Sequence, residues 1–165
     1  MELGISVENQ VLSLSMADLQ PIIDDCFAQG LDVTFTVTGN SMQPLFEHNR
    51  DQAVLTKADP NELKPGDIPL YIRKSGQYVL HRIARVENGA YTMVGDAQVA
   101  LEKGIRPEQI VGVVKGIYRK GRYIDCGSAA YRLWVFLWLK LRRYRPYLLR
   151  IHRLPNKFRG GKSPV

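Results

Sequence analysis

The sequence predicts a mainly β fold, made of coiled sheets or an open barrel, with an N-terminal helix and a basic amphipathic helix near the C-terminus. Short runs of β-branched and aromatic residues fill the centre of the chain and are separated by Gly, Pro and Asn turns, whereas helical periodicity appears only towards the two ends. With 165 residues, the chain suits one domain with appendages. We expect an N-terminal segment and helix at 1–31, a β domain at 32–128, and a basic, aromatic helix and tail at 129–165.

The first helix is expected at about residues 16–29. Ser15 and Asp18 provide polar residues for its start, and Gly30 stands where the helix would stop. Its apolar residues recur at the spacing of one helix face: Leu19, Ile22, Ile23, Cys26 and Phe27.

The strands begin where the periodicity changes from helical to alternating. From Asp32 to Thr38, valine and phenylalanine alternate with threonine, which predicts a half-buried strand. Turn sequences such as Lys64-Pro65-Gly66-Asp67 separate the further candidates. These further strands are expected at 52–56, 68–73, 77–86, 90–94, 110–118 and 122–125.

The basic charge is concentrated in the C-terminal segment. Residues 129–165 contain ten basic and no acidic side chains, in a chain with a net charge of +7. The pattern from Ala129 to about Arg153 is helical, with Pro146 as the expected break. Its longest apolar run, Leu133 to Leu139, has seven residues, whereas crossing a bilayer takes about 20. We therefore expect this segment to lie on a surface and not to span a membrane.

Two arrangements of this segment remain open. In the first, it binds an anionic membrane surface, with Tyr131, Trp134, Trp138, Tyr144 and Tyr147 at the headgroup level and Lys140, Arg142, Arg143, Arg145 and Arg150 facing lipid. In the second, the helix packs on the β domain through Leu133, Phe136, Leu137 and Leu141, and its arginines are solvated. Nucleic acid is the less favoured partner, since a basic run alone specifies only a polyanion.

Five short motifs follow one another between residues 32 and 118. They are Gly39-Asn40-Ser41-Met42-Gln43-Pro44, a degraded GDxVxV at Arg50 to Leu55, Lys64-Pro65-Gly66-Asp67-Ile68, Leu80-His81-Arg82-Ile83, and Val94-Gly95-Asp96-Ala97-Gln98. In this order they resemble the serine peptidase superfamily of signal peptidases and SOS repressors. The resemblance implies coiled β-sheets, Ser41 as the nucleophile, and a leader or precursor peptide as substrate. It also implies that the substrate pairs, as an extended strand, with the edge strand from Asp32 to Thr38.

The residue at the position of the general base is His81, as in the endoplasmic-reticulum and archaeal-type branch of that superfamily. Histidine has a reference pKa of about 6.5 and can accept a serine proton at neutral pH. A nearby acid would orient the imidazole. Asp96 is the first candidate for this acid, and Glu102, at a position where the family often has a second aspartate, is the alternative. No cofactor or metal ion is expected.

Two other classes of function are considered. Arg50 replaces a family glycine and Glu102 an aspartate, which favours an inactive module that recognises extended peptides. A DNA-binding repressor is disfavoured, because the residues before Asp32 predict only one helix and no helix-turn-helix. The N-terminal residues lack the pattern of a secretory signal, so the expected location is cytoplasmic, or peripheral on the inner membrane face.

Overall fold

A mainly β fold is present in the computed structural model, which describes residues 2–7 and 10–152, with side chains from 18 to 150. More of the described residues lie in strands than in helices. The main sheet curls into a half-barrel, with one helix on its N-terminal side and another on its C-terminal side. The fold class predicted from the sequence is therefore confirmed.

The N-terminal region contains two strands that the sequence pattern did not predict. Strands β1 (Glu2–Val7) and β2 (Gln10–Ser15) form an antiparallel pair. Helix α1 (Met16–Ala28) follows and confirms the predicted helix. Gly30 has a φ of +73°, which lets the chain leave the helix while the Leu31 N–H donates to the Cys26 carbonyl at 2.9 Å.

The other strands form two antiparallel sheets. In chain order they are β3 (Val33–Thr36), β4 (Gln52–Thr56), β5 (Pro69–Ile72), β6 (Tyr78–Leu80), β7 (Arg82–Glu87), β8 (Ala90–Val94), β9 (Glu102–Ile105), β10 (Ile110–Arg119) and β11 (Arg122–Asp125). The larger sheet has the order β3-β4-β10-β5-β6, and β11 pairs with the second half of β10. The smaller sheet has the order β7-β8-β9. Strand β3 therefore lies at an edge of the larger sheet.

His81 lies at the junction between the two sheets. The single strand predicted at 77–86 is in fact two: β6 ends at Leu80 and belongs to the larger sheet, whereas β7 begins at Arg82 and belongs to the smaller one. Strand β9, which the sequence pattern did not predict, carries Glu102 back towards this junction. The change of sheet thus brings residues from both sheets around one histidine.

The C-terminal helix is interrupted before Pro146. Helix α2 (Ala129–Lys140) leads into a 3-10 turn (Leu141–Tyr144), and helix α3 (Arg145–His152) follows. Proline lacks a backbone N–H and is disfavoured inside a helix, but it is tolerated in the first turn. Pro146 therefore stands in the first turn of α3, and the break falls on the residues before it.

The face of α2 that contacts the β domain is aromatic. Val135 and Trp138 are buried, and Tyr131 and Trp134 are partly buried against the core. The residues expected to pack, Leu133, Phe136, Leu137 and Leu141, are instead between 41% and 61% exposed, so that prediction is wrong. Tyr131, Trp134 and Trp138 therefore do not form a headgroup belt. Their rings face inwards because two buried arginines lie beneath them, at centroid distances of 5.3 to 5.9 Å.

Candidate active site

Ser41 lies in a tightly anchored loop between β3 and β4. Gly39 has a φ of +90°, which favours glycine, and its N–H donates to the His48 Nδ1 at 2.9 Å. Met42 is only 2% exposed, and its carbonyl accepts the Phe46 N–H at 3.0 Å. Because its neighbours are held in this way, the partly exposed Ser41 is presented from a fixed backbone.

A buried aspartate holds the far end of the same loop. Asp51 is fully buried and accepts two hydrogen bonds from Arg50, at 2.7 and 2.9 Å, and one from the Glu47 N–H at 3.1 Å. Arg119 Nε lies 3.2 Å from the same carboxylate. Burial raises the pKa of Asp51, but the hydrogen bonds from Arg50 and Glu47 outweigh it and lower the pKa. Arg50 therefore has a structural role, as a partner of the buried Asp51.

The loop of Ser41 contacts the chain at Gly95, the residue that follows β8. Arg82 in β7 pairs with Val94 in β8, so His81 and Gly95 are the residues next to the end of this pairing. The Ser41 carbonyl accepts the Ala97 N–H at 2.8 Å, and a Cβ atom on Gly95 would lie 2.7 Å from that carbonyl oxygen. Only glycine permits this close approach, so Ser41 lies beside the end of β8, and His81 immediately precedes β7, the strand that pairs with that end. Within the part of the chain whose side chains are described, the Ser41 hydroxyl makes no hydrogen bond.

One ring nitrogen of His81 is engaged by a tyrosine and a glutamate. The His81 Nδ1 lies 3.3 Å from the Tyr71 hydroxyl and 4.0 Å from Glu102 Oε2. The Tyr71 hydroxyl donates its single proton to Glu102 Oε2 at 2.7 Å, so its oxygen can only accept from the imidazole. The proton of a neutral His81 therefore belongs on Nδ1, and Nε2 keeps its lone pair.

Arg73 fixes the glutamate of this relay. Its Nε donates to Glu102 Oε1 at 2.7 Å, and its Nη2 donates to Oε2 at 2.6 Å. These hydrogen bonds lower the pKa of Glu102, so its carboxylate is ionised at neutral pH. Burial raises the pKa of Tyr71 above its usual value, so the phenol stays protonated. Because Glu102 is ionised and Tyr71 is protonated, Tyr71 donates to Glu102, and His81 Nδ1 donates to Tyr71.

Burial dominates the protonation of His81. The residue is 5% exposed, and burial lowers the pKa of its imidazole to about 4, although the nearby charge of Glu102 acts to raise it. The positive charge of Arg73 adds to the lowering. His81 is therefore neutral at neutral pH, and its lowered pKa makes the imidazole a weaker proton acceptor than an unperturbed histidine.

Asp96 belongs to a different cluster. It is fully buried and accepts two hydrogen bonds from Arg82, from Nε at 2.9 Å and from Nη2 at 2.6 Å. Arg145 Nη2 lies 3.9 Å from the same carboxylate. Among the residues whose side chains are described, the acid within 4.0 Å of a His81 ring nitrogen is Glu102. The geometry therefore favours Glu102 over Asp96 as the acid that acts on the imidazole.

Tyr71 and Arg73 were not identified from the sequence. Both belong to the region of β5, where a tyrosine among leucine and isoleucine has the pattern of a core residue. Arg145 was expected on the surface, but it is fully buried and donates to the Gly95 carbonyl at 2.9 Å. The periodicity of a strand or a helix does not predict hydrogen bonds such as Tyr71–Glu102 or Arg145–Gly95, because they join residues that are far apart in the sequence.

A cavity of about 470 Å³ lies elsewhere, between the Lys64–Asp67 turn, β10 and α2. Neither Ser41 nor His81 belongs to its lining. Ser41 is partly exposed, and the neighbouring strand β3 is a sheet edge. The candidate site is thus a surface beside an edge strand.

No family model, curated protein or solved structure matches this chain. Within residues 2–7 and 10–152, histidine, cysteine, aspartate and glutamate side chains form no group of three or more that could hold a metal ion.

Proposed function

We propose that this chain is a serine endopeptidase of the signal-peptidase-like type, which cleaves a leader or precursor peptide. Ser41 is the nucleophile and His81 the general base in this proposal. The observation that carries it is the Tyr71–Glu102 relay on His81 Nδ1, because it leaves the Nε2 lone pair as the proton acceptor beside the strand end that Ser41 borders.

The proposed reaction follows the acyl-transfer scheme of serine peptidases. The Ser41 Oγ attacks the scissile carbonyl carbon while its proton passes to His81 Nε2. The resulting imidazolium is stabilised by the Glu102 carboxylate through the Tyr71 hydroxyl. Its proton then goes to the leaving amine, and a water molecule hydrolyses the acyl ester. The backbone N–H of Ser41 is a donor for the developing oxyanion.

The position of β3 at a sheet edge supports an extended peptide as substrate. Among the described strands, β3 pairs with β4 alone, and the β1–β2 hairpin lies next to it without joining its sheet. A substrate strand that pairs with β3 would run towards Ser41, which follows that strand in the chain. Backbone pairing of this kind selects extended peptides, and side-chain pockets select among them.

An inactive peptide-binding module is the second candidate. The observation that favours it is the Ser41 hydroxyl, which makes no hydrogen bond to His81 in the described part of the chain. Catalytic hydrogen bonds often tighten only when substrate is bound, so an active site is compatible with the same geometry. The two candidates differ in the reactivity of Ser41, which a covalent probe measures.

A fluorophosphonate probe should label the intact chain at Ser41 and at no other serine. The adduct is located by peptide mass spectrometry, and labelling after heat denaturation provides the control for folding-dependent reactivity. Ser75 and Ser128 serve as internal references, because they are outside the candidate site. A folded protein that still binds extended peptides but takes up no probe would favour the inactive module.

The labelling rate should rise through about pH 4 and stay level above pH 6. Neutral imidazole is the reactive form, and a pKa lowered to about 4 keeps His81 neutral at pH values where an unperturbed histidine is protonated. Glu102→Gln should move the rise to lower pH, since the carboxylate acts to raise the pKa of His81. The measurement is the rate of probe uptake from pH 3.5 to 9, restricted to pH values where the fold is intact. A rise near the reference value of lysine would identify a different base.

A further inference from the structure

The outward face of the C-terminal helices is apolar. Six large side chains there are between 41% and 68% exposed: Leu133, Phe136, Leu137, Leu141, Tyr144 and Tyr147. In α2 and the turn after it they recur at steps of three and four residues, which places them on one stripe. The opposite face of α2 is already packed on the β domain, so a rotation of the helix cannot bury this stripe. Contiguous exposed apolar residues of this kind mark an interaction surface.

A basic cavity lies beside this apolar stripe. Its volume is about 380 Å³, and it lies between β7 and the end of α2 with the turn that follows. Phe136 and Leu139 contribute to its apolar wall. The cavity is also lined by four cationic side chains: Arg85, Lys140, Arg142 and Arg143. The one acid that contacts these cations within the described residues is the exposed Glu87, 3.6 Å from Arg85. The cavity thus presents an excess of positive charge against an apolar surface.

We propose that this face docks on an anionic phospholipid bilayer, with a lipid phosphate in the basic cavity and the apolar stripe inserted among the upper acyl chains. A phospholipid carries an anionic group and an apolar chain on one molecule, which matches the cations and the apolar stripe together. Nucleic acid would match only the cations. The described helices include none long and apolar enough to cross a bilayer. This inference does not depend on the proposed peptidase activity.

The test uses the full chain and sucrose-loaded vesicles of phosphatidylcholine, alone or mixed with phosphatidylglycerol. Lys140→Glu with Arg143→Glu removes cations of the cavity, and Phe136→Ser with Leu137→Ser removes part of the stripe. Each pair should lower the partition coefficient for the mixed vesicles at least tenfold, and vesicles of phosphatidylcholine alone should bind the unaltered chain weakly.

Control pairs with matched chemistry are Lys57→Glu with Lys74→Glu, and Ile22→Ser with Leu31→Ser, all at exposed positions. The controls should retain binding within about twofold.

Three outcomes would overturn the proposal. The first is an intact chain that does not sediment with either vesicle. The second is a loss of binding in the control pairs equal to that in the paired variants, which would show a general effect of charge or hydrophobicity. The third is a stripe variant that binds vesicles fully while the cavity variant loses binding to a DNA duplex, which would assign the surface to nucleic acid. Circular dichroism and thermal melting check each variant, and a stripe variant that unfolds would place the stripe in the core and also reject the proposal.

Discussion

Alanine at Ser41 or at His81 should lower the rate of peptide cleavage by at least about a thousandfold. Ser41→Ala removes the attacking oxygen, and His81→Ala removes the group that accepts its proton. The two losses should not add in the double variant, because both residues act in one step. Cleavage is measured by mass spectrometry on a mixture of extended peptides with small residues before the scissile bond.

The matched control is Ser75→Ala, which removes an exposed hydroxyl in the turn after β5 and should leave the rate unchanged. Tyr71→Phe should give an intermediate loss, about tenfold to a hundredfold, because it removes the hydroxyl that links His81 Nδ1 to Glu102 and leaves the base in place. Undiminished cleavage by Ser41→Ala would reject the proposed nucleophile. Equal rates for Tyr71→Phe and the unaltered chain would show that the relay does not orient the imidazole.

Local sequence patterns were sufficient for most of the fold. The alternation of apolar residues and threonine predicts β3, and the helical spacing predicts α1 almost to the residue. Strand β9 escaped detection because its sequence, Glu-Lys-Gly-Ile, has little intrinsic β preference, and it becomes a strand by pairing with β8. The division of the predicted strand 77–86 at His81 could not be predicted either, because alternation of apolar and polar residues does not indicate which sheet a strand joins.

The candidate site was predictable only in part. Motif order makes Ser41 and His81 the candidates, and they stay a prediction, whereas the partners of His81 depend on which strands meet. Tyr71 pairs with Val79 in the sheet, and His81 stands two positions after Val79, so the tyrosine can reach the imidazole diagonally. Periodicity also could not choose between Asp96 and Glu102. Asp96 and Glu102 differ in burial and in their hydrogen-bond partners. These depend on how the C-terminal helices pack near Asp96 and on how β9, which begins at Glu102, pairs with β8.

Asp96→Asn should lower the free energy of unfolding by about 3–5 kcal/mol, because it removes the carboxylate from a buried ion pair. Asp96 is held by Arg82 and lies near Arg145, and all three side chains are fully buried. Burial lowers the pKa of Arg145 to about 10 even beside the Asp96 charge, and the variant leaves two buried guanidinium groups without this counter-ion. Urea denaturation, followed by tryptophan fluorescence, measures the change.

Glu102→Gln is the matched comparison, since it makes the same change of carboxylate to amide at a partly exposed position. Its side chain is 26% exposed, so water can solvate Arg73 when the charge is lost, and the loss of stability should be about 1 kcal/mol or less. Its main effect should be on the cleavage rate, because the imidazolium formed during the reaction loses its stabilising charge. The opposite result, a stable but inactive Asp96→Asn beside a fully active Glu102→Gln, would assign the orienting acid to Asp96 and reject the Tyr71–Glu102 relay.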